Sequence, residues 1–362
     1  MAIRIDHDRL LAPLTTLQVG GPAHQLVRAQ TESQVVEAIW HAQREGLELT
    51  ILGGGSNSLV ADQGVPGLVL QPALLGREVT QSGDLVVVEV GAGVVWDDLV
   101  AWSVAEGLCG LEALSGIPGW VGAAPMQNIG AYGQEVASVV EAVQVVSRQP
   151  GASKWIPAEQ LGFAYRMSSF KGAWRDRFVI TAVRFRLRRG RPEEPKYAEL
   201  SKALGGQVDH PKKVRQAVLE LRRGKSMVID DQDPNHRSAG SFFLNPILSQ
   251  TEFEMLRARV VQAGLDSNSI PNWADAKGVK VPAAWLMERA GLTKGFCLGA
   301  AALSSNHCLA LINPGSARAC DLLELAGYAR RKVLAVFGVR LVPEPVFVGF
   351  SQGVDALLRA GE

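Results

Sequence analysis

The sequence predicts an α+β protein of two or three domains, and three observations carry that expectation. Short strand-like runs alternate with amphipathic helical stretches up to Arg191, helical patterns dominate from 211 onward, and two glycine-rich loops interrupt the strand-rich part. The 362 residues suffice for more than one hydrophobic core. Forty-seven per cent of the chain is hydrophobic and 20% is charged, an ordinary balance for a globular protein.

Residues 31–46 read as a helix. Thr31 can cap it, Glu32 suits the positive end of its dipole, Val35, Val36, Ile39 and Trp40 supply an apolar face, and Gly46 stops it. The runs 49–52 and 68–70 read as strands flanking the first glycine loop, a small β-α-β unit with the loop at its edge. Another strand, 85–90, ends at Gly91-Ala92-Gly93. A helix over 96–106 has Asp97 and Asp98 in its first turn and Gly107 beyond its end. Strands near 139–147 and 178–188 follow; in the second, Phe178, Ile180 and Ala182 alternate with Val179, Thr181 and Val183, a pattern mostly buried on both faces. Pro192, Glu193, Glu194, Pro195 and Lys196 break the pattern, and Gly205-Gly206 come next. Helices at 212–224, 251–263, 282–290 and 318–336 then mark a further domain beginning near 211, and 339–349 returns to strand character around Pro343-Glu344-Pro345.

The net charge of +1 calls for neither nucleic acid nor a membrane surface. Arg184, Arg186, Arg188, Arg189 and Arg191 mostly alternate along a strand and read as a solvated face. No run is long enough to cross a membrane, and acidic residues stand near the N-terminus where a signal peptide would be basic and then apolar, so a cytoplasmic protein is expected. Cys109, Cys297, Cys308 and Cys320 form no C-x-x-C pair and read as buried thiols of a reducing compartment. The six histidines show no metal-ligand spacing, so no metal is expected.

The loop 116–133 carries the strongest signal. It contains Gly116, Gly119, Gly122, Gly130 and Gly133, two prolines and the amide pair Gln127-Asn128. Glycine loses backbone entropy on folding and packs nothing, so this density points to a main chain lying close against something flat or charged. Its N–H groups can meet phosphate oxygens and its amides a polar ring edge; the alternative is a long turn between strands. The upstream loop, Gly53-Gly54-Gly55-Ser56-Asn57-Ser58, leaves a strand as a phosphate cradle does. No Lys-Ser/Thr closes it, so it is no P-loop, and without a third spaced glycine and a following helix it is no dinucleotide fingerprint. Two such loops point to a flavin or nucleotide fold of another type.

Among side chains able to do chemistry, Arg166 lies in 163–171, where polar residues alternate with aromatics. It can pair two-pronged with a carboxylate or phosphate, or form a surface salt bridge. Ser241 follows a small-residue turn and precedes two aromatics; it is either a turn residue or a reacting group, and no Gly-x-Ser-x-Gly elbow surrounds it. Glu344 is stiffened by a proline on each side and is either an edge-strand charge or a placed carboxylate. Tyr197 and Lys225 carry no signal alone.

Taken together, these segments resemble the UDP-N-acetylenolpyruvoylglucosamine reductases, the MurB family of peptidoglycan synthesis. The resemblance runs from Thr16 to Gly349 through LGGGSN (52–57), IPGWVGAAPMQNIGAYG (117–133), FAYRMSSFK (163–171), AGSFFLNP (239–246) and PEPVFVG (343–349). The stretch 192–200 is similar to the tyrosine-bearing loop of the type I subgroup. The resemblance implies an FAD-binding two-part domain of the PCMH/vanillyl-alcohol-oxidase type plus a C-terminal α+β substrate domain. The parts are 1–72 completed by 338–362, then 73–210, then 211–337, with the C-terminal strand returning to the first part. It also implies NADPH-dependent, FAD-mediated reduction of an enolpyruvyl ether to a lactyl ether on UDP-N-acetylglucosamine, a cytoplasmic step serving cell wall, shape and division.

By resemblance, Ser241 is the proton donor, and Arg166 and Glu344 hold the enolpyruvyl carboxylate and polarise the developing enol. Tyr197, Lys225 and Asn245 grip the UDP-sugar. Gly53, Gly54, Gly55, Ser56 and Asn57, with Ile117, Pro118, Gly119, Gly122, Gln127, Asn128, Gly130, Ala131 and Tyr132, surround FAD. Ser56-Asn57 stand where related oxidases tether flavin through histidine, so non-covalent FAD is expected. The implied partner is a small UDP-sugar, without nucleic acid or membrane, and the chain is expected to be a monomer. The sequence departs from the family pattern at Trp120 (usually small), Met167 (commonly Asp), Ser238 (usually Asn) and in a lengthened 226–237 carrying Asp230, Asp231 and Asp233. Two other readings stand beside it: a flavin-dependent alcohol oxidase or dehydrogenase of the same fold, and a catalytically idle UDP-sugar-binding regulator. The joint presence of Arg166, Ser241 and Glu344 argues against the second.

Overall fold

The computed structural model describes residues 3–149, 152–195, 197–206 and 208–359. Lys196, one of the expected pattern breakers, lies outside the described residues. The chain forms two compact units. The first takes residues up to Arg9, then Ala23–Gly55 and Pro66–Ile229; the second takes Leu10–Pro22, Ser56–Val65 and everything from Asp230.

In the first unit Thr31 caps the helix Glu32–Arg44 by accepting from the Gln34 N–H, and Gly46 leaves it with φ +65°. Val35, Ala38, Ile39 and Ala42 form its buried stripe at the spacing one helical face requires. Trp40 corrects the expected face. It points off that stripe, is 55% exposed, and two alanines take up the contact instead. The stripe packs with Val27, Ala29, Leu68 and Leu70 of a four-stranded sheet ordered Asp6–Leu10, Pro22–Ala29, Val65–Pro72, Leu49–Ile51. The last two strands are parallel, with Leu49 opposite Leu68.

A larger antiparallel sheet follows, ordered Lys154–Pro157, Val140–Ser147, Phe178–Arg189, Leu85–Gly91, Arg77–Ser82, with Leu108–Cys109 also paired to the long strand. Residues 179–183 are buried, as the two-sided apolar pattern requires. The helix Trp96–Ala105 covers one face, with Trp96 edge-on to Phe185 at 6.0 Å. The arginine series meets acids and aromatics. Arg184 donates to Glu89 at 3.0 Å and lies 4.2 Å over Trp155, and Arg186 pairs with Glu141 at 2.9 Å.

The helix Pro211–Arg223 belongs by contact to this first unit. Val214, Ala217 and Val218 pack with Ala113, Leu200 and Val208, and Arg215 pairs with Asp97. By contacts the chain divides between Ile229 and Asp230. Burial raises the Asp97 carboxyl pKa, but the Arg215 hydrogen bond and the Gly116 N–H more than offset it, so it lies below the ordinary aspartate value of 3.8. With the folded value depressed, the stabilisation is complete above 3.8 and is lost as pH falls through the folded value. Asp97→Asn should therefore cost stability at neutral pH and flatten its acid loss, read as urea midpoints from neutrality down past that window.

The core of the second unit is the helix Ala319–Phe337, whose Leu322, Leu325, Ala326, Ala329 and Val333 are fully buried. Against it lie Gln250–Gln262, opened by a Ser249/Glu252 capping box, and Ala283–Arg289. Two three-stranded sheets of strands two or three residues long complete it. Val346–Val348 pairs in parallel with Ser58–Val60. Contacts place both 56–65 and this C-terminal strand in the second unit. All four cysteines are free thiols, and only Cys308 is buried. The expected burial fails where Cys297 sits on a two-residue strand and Cys320 on the outer side of a helix's first turn. No group of three or more His, Cys, Asp or Glu among the described residues is placed to hold a metal.

Candidate active site

The central loop is held by backbone bonds from the strand end before it. Gly122 N–H donates to the Ala92 carbonyl, Val121 N–H to Val94, and Trp96 N–H to Gly119, each at 2.9 Å. A small hairpin, Gly130–Ala131 with Gln134–Glu135, closes it. The first glycine loop meets it main chain to main chain. A Cβ on Gly54 would come within 2.9 Å of the Trp120 ring and 3.0 Å of Gly119 Cα, so only glycine allows this approach. Asn128, Tyr132 and Arg166 have φ of 48°, 50° and 51°, a costly left-handed backbone for side-chain-bearing residues, and strain of this kind gathers at ligand sites.

Neither 53–57 nor 117–133 contains Lys or Arg, so a bound anion would be met by backbone N–H groups and dipoles. Ile117, Pro118, Gly119, Gly122, Gln127, Gly130, Ala131 and Tyr132 all remain partly exposed, as a lining requires. This glycine-built cradle fits a flat group carrying phosphates. Asn128 is the exception. It is fully buried, its Nδ2 donates to Glu135 at 2.9 Å and to the Ala164 carbonyl at 3.1 Å, and its Oδ1 accepts from Ala137 N–H. Both N–H donors of its side-chain amide are spent inside the protein, so that side chain braces the loop. Glu135, which no sequence signal marked, is its partner.

Arg166 lies against this loop. Its Nη2 donates to the Gly130 carbonyl at 2.5 Å and its Nη1 to Asn128 at 3.4 Å. A Cβ on Gly130 would stand 2.9 Å from Nη1, so the glycine makes room for the guanidinium. Tyr132 at the loop's far end meets Tyr197 edge to face at 5.6 Å, and Lys225 lies 5.7 Å over its ring while pairing with Glu199 at 2.5 Å. Burial pushes the Tyr132 hydroxyl up to about 12, and burial followed by Glu199 raises Tyr197. Both phenols are therefore neutral hydrogen-bond donors at working pH.

The second unit builds its own constellation. Phe242 and Phe243 are buried and edge to face at 5.3 Å, which pins the chain beside Ser241. Glu344 N–H donates to Phe242 at 2.8 Å and Leu244 N–H to Val342 at 2.9 Å, with Phe243 opposite Pro343. Ser241 and Glu344, 103 positions apart in sequence (344 − 241), thus flank one short antiparallel pairing. Asn57, expected at the cofactor, donates its amide to the Glu344 carbonyl at 3.3 Å and accepts from Val346 N–H at 2.9 Å. Asn245 accepts from the Ala283 N–H at 2.9 Å, at the start of a helix. Of the three expected UDP-sugar residues, Tyr197 and Lys225 lie together in the first unit and Asn245 lies in the second.

Residues 23–152 match the family model for an FAD binding domain. Residues 232–348 match that for the C-terminal domain of UDP-N-acetylenolpyruvoylglucosamine reductase, starting two positions into the second unit's long segment. The reductase of that name from Thermobifida fusca (strain YX) is 47% identical over 347 residues, covering 94% of this chain and 97% of that protein. The chain belongs to the UDP-N-acetylenolpyruvoylglucosamine reductase family. The same-named protein of Mycolicibacterium gilvum (strain PYR-GCK) is 44% identical over 347 residues, 94% of this chain and 95% of its own. The crystal structure of the MurB reductase from Thermus caldophilus matches 96% of this chain and all of its own, with TM-score 0.64 and 28% identity. The FAD-binding fold that the family resemblance implies is the one these matches show.

Proposed function

We propose that Arg166, Ser241 and Glu344 carry the reaction of this family and that Tyr197, Lys225 and Asn245 grip the UDP-sugar. The protein is an FAD-dependent reductase that converts UDP-N-acetylglucosamine enolpyruvate to UDP-N-acetylmuramate with NADPH as reductant, a step of peptidoglycan synthesis. The observation supporting the assignment most is the pairing of 242–244 with 342–344, which brings the main chains at Ser241 and Glu344 together from distant parts of the chain.

FAD, once bound and reduced by NADPH, would supply hydride to one carbon of the enolpyruvyl double bond. Charge then builds on the neighbouring carbon and its carboxylate. Arg166 offers a fixed planar cation to that carboxylate, already oriented by its bonds to the flavin loop. Glu344, when it carries or shares a proton, donates a hydrogen bond to the developing enolate, and its backbone is fixed by Phe242 and Asn57. The Ser241 hydroxyl, a poor acid in water, delivers its proton because it is held in place. Gly53–Gly55 and the partly exposed residues of 117–133 hold FAD without a covalent link; Asn128 braces that loop from within. We assign FAD binding to the first unit and add substrate binding by the second. We infer a cytoplasmic monomer acting on a small molecule; no helix among the described residues is long and apolar enough to cross a membrane, and the net charge is +1.

Lys225→Ala tests the grip. Losing one charge-assisted contact to a phosphate costs about 1.5–3 kcal/mol, so KM for the UDP-sugar should rise roughly ten- to hundredfold while kcat changes far less. Steady-state NADPH consumption against substrate concentration reads both. An unchanged KM removes Lys225 from the site, and consumption driven by a simple alcohol instead of the UDP-sugar would favour the oxidase reading.

A further inference from the structure

Gly116, where the central loop begins, is held on both sides. Its N–H donates to Asp97 Oδ1 at 2.6 Å, and its carbonyl accepts from Arg222 Nη2 at 3.3 Å. Asp97 is gripped by Arg215 through two parallel bonds, Nη1 to Oδ1 at 2.6 Å and Nη2 to Oδ2 at 2.8 Å. The Arg215 and Asp97 side chains are only 18% and 32% exposed, so solvent screens the pair weakly. Gly116 has φ +71°, and a Cβ there would come within 2.9 Å of Leu219 on the same helix, so its main chain lies flat on Pro211–Arg223. Two further bonds come from the other helix: Trp96 Nε1 donates to the Leu114 carbonyl at 3.1 Å and Trp96 N–H to Gly119 at 2.9 Å.

A loop with five glycines has a large conformational entropy to lose when a ligand orders it. Fixing its first residue beforehand removes part of that loss from the binding step. We propose that Asp97, Arg215 and Arg222 are positioning residues that clamp Gly116 and so set FAD affinity through an ion pair on the helix side of the loop. The proposal deepens the reading of 117–133 as the flavin loop and rests on it.

The experiment is a titration of apoprotein with FAD, followed by tryptophan emission and by the flavin's own fluorescence. Asp97→Asn should weaken FAD binding roughly tenfold, the scale on which outer partners of a metal ligand act. Arg215→Lys, which keeps the charge but loses one prong, should fall between that variant and wild type, and it also serves if Asp97→Asn folds poorly. The pair Asp97→Asn/Arg215→Lys should bind no worse than the weaker single variant, as coupled residues do. At saturating FAD, Asp97→Asn should recover most of its turnover. A lowered melting temperature with FAD affinity within about twofold of wild type in both single variants overturns the clamp. Trp120→Phe separates the two layers of the argument. If it leaves the FAD-dependent quench of tryptophan emission unchanged, the flavin-loop reading fails and the clamp with it. If it reduces the quench while Asp97→Asn and Arg215→Lys bind FAD like wild type, the clamp alone fails.

Discussion

Ser241→Ala should leave bleaching of the flavin by NADPH near wild-type speed and collapse its reoxidation by the enolpyruvyl substrate. The first half-reaction needs no proton from serine. The second leaves a carbanion beside a carboxylate with no positioned acid. General acid catalysis is worth about 10²–10⁴-fold, and lost support for the enolate adds to that. The fold makes the substitution a clean one: Ser241 is only half-buried, and its neighbours Phe242 and Phe243 hold the chain through their own rings and backbone bonds. Ser241→Cys should recover part of the loss, since a thiol can also give up a proton. Stopped-flow absorbance at the flavin band reads both steps on one sample. Equal slowing of both makes the serine structural; slowing of neither moves the proton to Glu344 or a bound water.

Arg166→Lys should be nearly as severe although it keeps the charge. The guanidinium already spends two nitrogens on Gly130 and Asn128, and it does so from a left-handed backbone at φ 51°. Lysine is a point charge on a flexible stem and cannot brace the loop and present a flat two-pronged face as well. Loss of one aligned donor in the transition state costs about 3–4 kcal/mol, on the order of 10²–10³ in turnover. Because the same side chain props the flavin loop, FAD affinity should weaken too. Turnover and FAD affinity both within a few-fold of wild type would remove Arg166 from the site.

How legible each feature was in sequence followed from how local its cause is. Thr31 and Gly46 bracket a helix through near neighbours, so its ends were readable, as were those of Trp96–Ala105 from Asp97, Asp98 and Gly107. Arg77–Ser82 was not, because all six residues are exposed and its only reason to extend is the neighbouring strand. The strands of the second unit are two or three residues long and carry no period at all. Residue types also failed to separate lining from bracing. Gln127 and Asn128 look alike in sequence, yet one is partly exposed and the other fully buried with its donors spent. The Asp97–Arg215 pair spans 118 positions between two helices, which composition, spacing and resemblance all leave unmarked.

The central claim is that one protein passes reducing equivalents from NADPH through FAD to the enolpyruvyl ether of a UDP-sugar. An anaerobic visible spectrum of the purified protein tests it most directly. The protein should be yellow and release free FAD on denaturation. NADPH should bleach the flavin band, and UDP-N-acetylglucosamine enolpyruvate should restore it in the absence of oxygen, leaving a product that has gained two hydrogens by mass. A band that NADPH does not bleach, or one that only oxygen restores while the UDP-sugar is recovered unchanged, would contradict the account.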